Sequence, residues 1–537
     1  MKQLSLFIVL IMSQLQLAQS QSIVWALPAG GIDPDGSFDV ISDAAGGAIF
    51  TGAFSGTATI DGQTITSNGS SDIILGRLDP TGNLSWHFTA GGPGADGGHQ
   101  VATDFMGNVI IAGEFENTIT IGGTTLTSQG GQDIFVAKYD PNSSTILWAI
   151  SAGGPAEDDI NSIETSSTGD IYVTGSFMGT AFFGPAAVVS AGGSDVFISR
   201  ITSAGAFFWT SQAGGSMDAN CRGLAINTSN EVFVTGFFQG TASFGPSTFT
   251  SNNGSKDIFG ALLGSSGQFL WAFKVGGPEN DGAYEATVDA FNDFYFTGNF
   301  KNTAVFGPYI LNSFGDDDVF VAKVNSSGFF IWAHNAGGTN EDKGYALSID
   351  NTGSLFVTGS FEGTADFDSQ TIISAGDRDV FMASYNSAGS LNLIERAGGP
   401  GFDRGYGIVK RYGLAYVTGV FEQTADFGSN IITSQGSSDL FVFKFDEPLS
   451  IAEASGSNIN IYPSPFVHYC YIESSSIDLS EAELQLFDMT GRKVQISSEV
   501  SDGKIKIDSN GLGNGIYQLI IMVDDSVYSK KVCINKF

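Results

Sequence analysis

Residues 344–361 read Gly-Tyr-Ala-Leu-Ser-Ile-Asp-Asn-Thr-Gly-Ser-Leu-Phe-Val-Thr-Gly-Ser-Phe, two apolar-alternating runs joined by an Asn-Thr-Gly cluster. Period-two alternation of branched and aromatic residues predicts strands, and the Asn-Thr-Gly cluster predicts a tight reversal between them. Versions of this stretch recur along the whole chain. Ala-Gly-Gly begins at Ala29, Ala90, Ala152, Ala213, Ala336 and Ala397, with Val275 in the remaining place, at spacings of 61 or 62 residues. Four residues before each stand Trp25, Trp86, Trp148, Trp209, Trp271 and Trp332, with Leu393 in the seventh. A Thr-Gly or Ala-Gly step follows at Gly52, Gly113, Gly175, Gly236, Gly298, Gly359 and Gly419. Then comes Thr-Ala-x-Phe or a variant, as at residues 180–183 and 364–367, and an aspartate before another apolar run, at Asp72, Asp133, Asp195, Asp257, Asp318, Asp379 and Asp439.

Within one unit four main strands are predicted: Gly344 to Ile349, Leu355 to Phe361, Val380 to Tyr385, and a last one ending at Ala-Gly-Gly, with Thr-Ala-x-Phe adding a small ribbon. No segment sustains a 3.6-residue apolar period. Seven four-stranded units repeated radially make an all-β, seven-bladed β-propeller; the rungs of open solenoids are generally much shorter. The tryptophan strand Ile23 to Leu27 precedes any complete unit, and the last unit stops after Asp439 to Phe445 without one. The N-terminal strand is therefore expected to complete the seventh blade and close the ring. Residues 21–446 are assigned to the propeller, 447–457 to a linker, and 458–537 to a small Ig-like β-sandwich.

Composition agrees with this reading and excludes several functions. Glycine contributes 71 of 537 residues and charged residues only 15%, which rules out a coiled coil, while 42% hydrophobic content rules out disorder. The formal charge is −33, and the propeller carries 15 lysines and arginines against 44 acidic residues. Nucleic acid and anionic membrane surfaces need clustered cations, so neither is an expected partner. Leu4 to Met12, apolar except for Ser5, is too short to span a bilayer; followed by Ala18-Gln19-Ser20 it reads as a signal peptide over residues 1–20. No later run approaches a membrane span, and an exported monomer is expected. Cys221, Cys470 and Cys533 are too few for a disulfide framework; Cys470 and Cys533 are the candidates for a pair.

Residues 344–361 and their six counterparts resemble the SBBP-type repeat of bacterial seven-bladed β-propellers, a resemblance covering roughly residues 23–446. It implies an exported propeller without implying one activity. In the tail, Tyr462-Pro463-Ser464-Pro465-Phe466, the Gly491-Arg492-Lys493 segment, Gly515-Ile516-Tyr517 and Lys530-Lys531 arrive in an order similar to a type IX secretion C-terminal sorting domain, with Ser464 where asparagine is usual. That resemblance implies passage through the periplasm of a Gram-negative bacterium, recognition by outer-membrane secretion machinery, and release or surface anchoring.

Positions where the blades differ are the candidates for function. Fourteen residues before the Thr-Gly glycine, with one deletion allowed in the last blade, stand Phe38, His99, Asn161, Arg222, Tyr284, Tyr345 and Tyr406, expected near the mouth of the central channel. Aromatic faces with polar neighbours suit a glycan or surface-protein ligand, while ordinary inter-blade packing is the simpler account of the same rings. Asp39 and Glu285 share the next position and define the enzymatic alternative, a glycosidase-like carboxylate pair. His87, His99, His334 and His468 are scattered and fit no hydrolase or metal motif. A purely structural surface protein is the third class. No cofactor is expected: the blade aspartates and a second set, Asp35, Asp96, Asp158, Asp281, Asp342 and Asp403, invite calcium but match no calcium-loop motif, and hydrogen bonding in tight turns explains the first set. Arg77, Lys138, Arg200, Lys323 and Lys444 occupy one slot five residues after the blade aspartate and are read as partners of a turn.

Overall fold

The computed structural model describes residues 22–446, apart from 351–352 and 412–413, and residues 459–534 apart from short connecting segments. The expected signal peptide and linker lie outside the described residues. Two compact units are present, one spanning Ile23–Phe445 and one built from the C-terminal residues.

The first unit is a seven-bladed propeller made almost wholly of antiparallel strands. The sixth blade shows the plan: inner strand Lys343–Ile349, second strand Leu355–Phe367, third strand Gln370–Tyr385 and outer strand Leu391–Ala397. Thr-Ala-x-Phe does not form a separate ribbon here, because the second and third strands run on through it, pairing Thr364 to Phe367 with Ile373 to Gln370. Only in the second and fourth blades is it a detached hairpin, Thr118–Ile121 with Thr124–Thr127 and Thr241–Phe244 with Ser247–Thr250. The N-terminal strand Ser22–Gly31 lies beside Asn430–Asp446 as the fourth strand of the seventh blade, so the ring closes with the two ends of the repeat array in one sheet.

Aromatic and aliphatic side chains of adjacent blades form the core between sheets. Phe233, Phe294, Phe296, Phe306 and Phe320 pack across the fourth and fifth blades, with ring centroids of Phe233 and Phe294 4.9 Å apart. The repeated tryptophans act as latches on this packing. Indole N–H groups of Trp25, Trp148, Trp209, Trp271 and Trp332 donate to the carbonyls of Pro80, Ser203, Ser265, Ser326 and Ser387 in the turn of the following blade, at 3.0 to 3.3 Å. The cation slot does pair a turn: Arg77, Lys138, Arg200 and Lys323 contact Asp43, Asp104, Asp170 and Asp289 after the inner strands.

The C-terminal unit is a two-sheet sandwich with four strands in each sheet. Ile472, Leu486, Ile505, Leu519 and Ile521 fill its centre. Cys470 is a free thiol, so the candidate pair with Cys533 is not formed, and burial pushes its pKa up to about 11. The two cysteines belong to different sheets, Cys470 opposite Ile507 and Cys533 opposite Ile516. Cys221 is also a buried free thiol. Of the sorting-motif residues, Tyr462 and Lys530 are partly accessible, Pro463 and Gly515 are placed, and Tyr517 is buried, donating to the Gly513 carbonyl at 3.0 Å. Pro465 and Gly491 lie outside the described residues, and only the backbone of Lys493 and Lys531 is described.

Candidate functional site

Every inner strand carries a β-bulge, and in every blade the bulged residue is the one singled out by symmetry breaking. Ser37 pairs with Gly52 and Asp39 with Thr51, leaving Phe38 extra; the same skip falls at His99, Asn161, Arg222, Tyr284, Tyr345 and Tyr406. A bulge bends the strand and re-aims its side chain, here at the channel end where the inner strands begin. The repeated Thr-Gly step follows from this geometry. A Cβ on Gly359 would lie 1.9 Å from the Lys343 carbonyl oxygen, because the bulged strand crosses directly over that position.

Six of these seven residues, all but Asn161, come together as one arc of half-buried side chains. Ring centroids are 5.1 Å apart for His99 and Phe38, 5.7 Å for Phe38 and Tyr406, 5.7 Å for Tyr406 and Tyr345, and 5.0 Å for Tyr345 and Tyr284. The Arg222 guanidinium then covers Tyr284 at 4.7 Å. The third blade interrupts the arc with a polar link, Asn161 to Asn220 at 3.3 Å and Asn220 to Ser176 at 2.9 Å. Sequence reasoning missed Arg404, which lies over Tyr345 at 4.8 Å and donates to the Tyr406 hydroxyl at 3.0 Å. Among the described residues neither Arg222 nor Arg404 has a carboxylate partner, and Arg404 Nε is buried without any acceptor. His99 is held down to about 4 by burial and is neutral at pH 7, 3.2 Å from Glu114.

Behind the arc the channel encloses about 400 Å³, lined by Asp39, Glu164, Glu285, Ser162 and Ser348 among others. Asp39 bridges two blades, accepting the N–H of Val40 at 2.7 Å and of Val101 at 2.9 Å. Glu285 accepts from Ala286 at 2.9 Å. Both therefore occupy unpaired donors on strand edges that face the channel. Burial pushes Asp39 up to about 6, and burial with the Asp39 charge pushes Glu164 up to about 7; Glu285 is raised well above its ordinary value, by burial and then by Asp39 and Glu164. Glu164 is the third channel carboxylate. Its signal in the sequence is a lone acid three residues past the ring position, where other blades have Ile41, Ala102, Ala225, Thr287, Ser348 and Val409. No group of three or more metal-ligating side chains occurs among the described residues.

Residues 460–535 match the secretion system C-terminal sorting domain family. This indicates export through the type IX secretion system to the cell surface or extracellular space, and an interaction with that machinery. No helix among the described residues is long and apolar enough to cross a membrane. An uncharacterised WD repeat-containing protein of Acanthamoeba polyphaga mimivirus is 24% identical over 230 residues, covering 36% of this chain and 16% of that relative's own length. Similar solved structures include a puromycin hydrolase, with TM-score 0.37, 8% identity, and 82% of this chain and 59% of that one covered. A protein of unknown function from Bacteroides thetaiotaomicron follows, with TM-score 0.29, 9% identity and coverage of 78% and 90%.

Proposed function

We propose that the exported propeller is a binding module whose ligand docks at the aromatic arc, and that this ligand is an extracellular glycan or surface protein presenting an acidic group. The observation that carries the reading is the pair of arginines. In a propeller with 15 cations and 44 acidic residues, two arginines without carboxylate partners among the described residues sit over neighbouring tyrosine rings, at 4.7 and 4.8 Å, at one end of the channel. An arginine on a ring keeps its donors in a fixed plane, ready for a carboxylate or sulfate, while the exposed parts of the rings offer stacking surface. Asp39 and Glu285 are read as strand-edge caps rather than a hydrolytic pair, because each already accepts backbone N–H groups.

Capture from arrays of acidic and neutral glycans and from surface-protein extracts, with the full secreted protein as bait, tests the site. Acidic ligands should be retained by the parent and lost with Arg222→Ala and Arg404→Ala. Equal capture by parent and variants would refute it. Turnover of a captured glycan, abolished by Asp39→Asn or Glu285→Gln, would instead establish an enzyme. Deleting residues 458–537 should leave the propeller in the periplasm.

A further inference from the structure

The junctions between blades hold a second buried carboxylate system. At six of the seven junctions the blade aspartate carried by a third strand meets the aspartate at the start of the next blade's inner strand, across the first glycine of Ala-Gly-Gly or its valine variant. A Cβ placed on Gly153 would lie 2.6 Å from Asp133 Oδ1 and 2.9 Å from Asp158 Oδ2; on Gly337, 2.6 Å from Asp318 Oδ1 and 2.8 Å from Asp342 Oδ2. All these aspartates are at most 3% exposed. The outer oxygen of each third-strand aspartate accepts a backbone N–H a few residues upstream, as Asp133 Oδ2 does from Gln129 N–H at 2.9 Å. The N–H of the second glycine goes to the other aspartate, Gly154 to Asp158 at 2.7 Å and Gly338 to Asp342 at 2.7 Å.

One donor thus serves two carboxylates, and three kinds of junction show the consequence. At the fourth blade Ala219 replaces the second aspartate, and Asp195 Oδ1 takes the freed Gly215 N–H at 3.0 Å. At Asp257/Asp281 and Asp379/Asp403 a cation sits on the first aspartate, Lys274 at 2.9 Å and Arg396 in direct contact. The remaining four pairs, Asp439/Asp35, Asp72/Asp96, Asp133/Asp158 and Asp318/Asp342, have neither remedy. In each, Oδ1 of the third-strand aspartate is buried without a partner, as is Asp379 Oδ1, since Arg396 contacts only its other oxygen.

We infer that each of these four pairs holds one proton between its carboxyl groups, making bound protons a structural component of the ring. Two buried carboxylates this close cannot both ionise without strong repulsion, and a protonated one donates to the orphaned oxygen of its neighbour. A calcium ion is disfavoured because it needs six or more oxygen ligands, whereas a backbone N–H points into the same space. Other charges facing the pairs are chiefly acidic: Asp33 at Asp35, Glu116 at Asp96, Glu157 and Asp159 at Asp133/Asp158, and Glu362, Asp316 and Asp317 at Asp318/Asp342. Lys343 lies 3.3 Å from Asp317, and Lys301 pairs with Asp316. Burial first, then these charges, push Asp35, Asp96, Asp133 and Asp439 up to about 6 and Asp158, Asp318 and Asp342 to about 7 from an ordinary 3.8; Asp439 and Asp133 feel burial chiefly, and Asp72 is raised without a resolved extent.

The folded state therefore holds these protons more tightly than the unfolded chain. Their contribution to stability is complete below the ordinary carboxylate pKa and is lost as pH rises through 6 to 7. Melting of the full secreted protein at pH 5, 6, 7 and 8, with and without EDTA or calcium, tests this. Tm should fall on the order of 5 °C or more between pH 5 and 8, independent of calcium. Asp158→Asn, which keeps an acceptor and supplies a donor, should raise Tm at pH 8 and flatten the profile. Ala219→Asp, which builds a seventh pair where the natural chain has none, should lower Tm at pH 8 and recover towards parent at pH 5. Infrared absorption of protonated carboxyl groups should be present at pH 6 and weakened by Asp158→Asn. A pH-independent Tm, or a calcium-dependent Tm that Asp158→Asn abolishes, would overturn the proposal.

Discussion

The blade junctions and the channel mouth draw on the same materials, buried carboxylates, arginines and close backbone, under opposite rules. At the junctions the pattern repeats: glycine, aspartate and the facing aspartate recur around the ring, and the exceptions are Ala219, which removes one carboxylate, and Lys274 and Arg396, which place a cation on the third-strand aspartate. At the mouth each bulge occupies the same place while its side chain changes, from Phe38 through Asn161 to Arg222 and Tyr345. Repetition marks what every blade needs to pack; departure from it at a fixed geometric position marks what only the whole ring uses.

The contrast can be broken in order of severity. Deleting residues 21–31 removes the outer strand of the seventh blade and opens the ring, so the protein should lose more than about 10 °C in Tm or aggregate; an unchanged melting curve would show that the strand is dispensable. Gly337→Ala strikes a repeated position, where φ is +152° and the new methyl would meet both Asp318 and Asp342. A loss of about 3 kcal/mol in a denaturant titration is expected. Trp271→Phe keeps the ring but removes the indole donor to Ser326, which should lower stability by about 1 kcal/mol. Arg222→Ala and Tyr345→Ala, at the variable position, should each change stability by less than about 1 kcal/mol, since their side chains are only half-buried at the channel mouth. If these outweighed Gly337→Ala, the division between repeated and variable positions would fail.

Blade number, strand content and ring closure were legible in the sequence because a repeat multiplies each weak local signal sevenfold. The variable ring was found the same way, by counting back from a glycine that cannot vary. Its physical cause was not legible: the bulge is a property of strand pairing, visible only once Ser37 and Asp39 are seen to flank an unpaired Phe38. Glu164 and Arg404 were missed because each lies two or three residues from the ring position, outside the series that symmetry breaking singled out. The continuous strands through Thr-Ala-x-Phe were read as ending before it because a residue of positive φ sits at their centre, as at Gly363, where φ is +72° and pairing resumes on the far side.

The most direct test of the central claim is capture of acidic ligands by the secreted protein carrying Arg222→Ala and Tyr345→Ala together, measured alongside its melting temperature. The account predicts a Tm within about 3 °C of the parent and at least a tenfold loss of capture. Capture equal to the parent's, from a protein equally well folded, would show that the arc is packing and contradict the assignment of function to the variable ring.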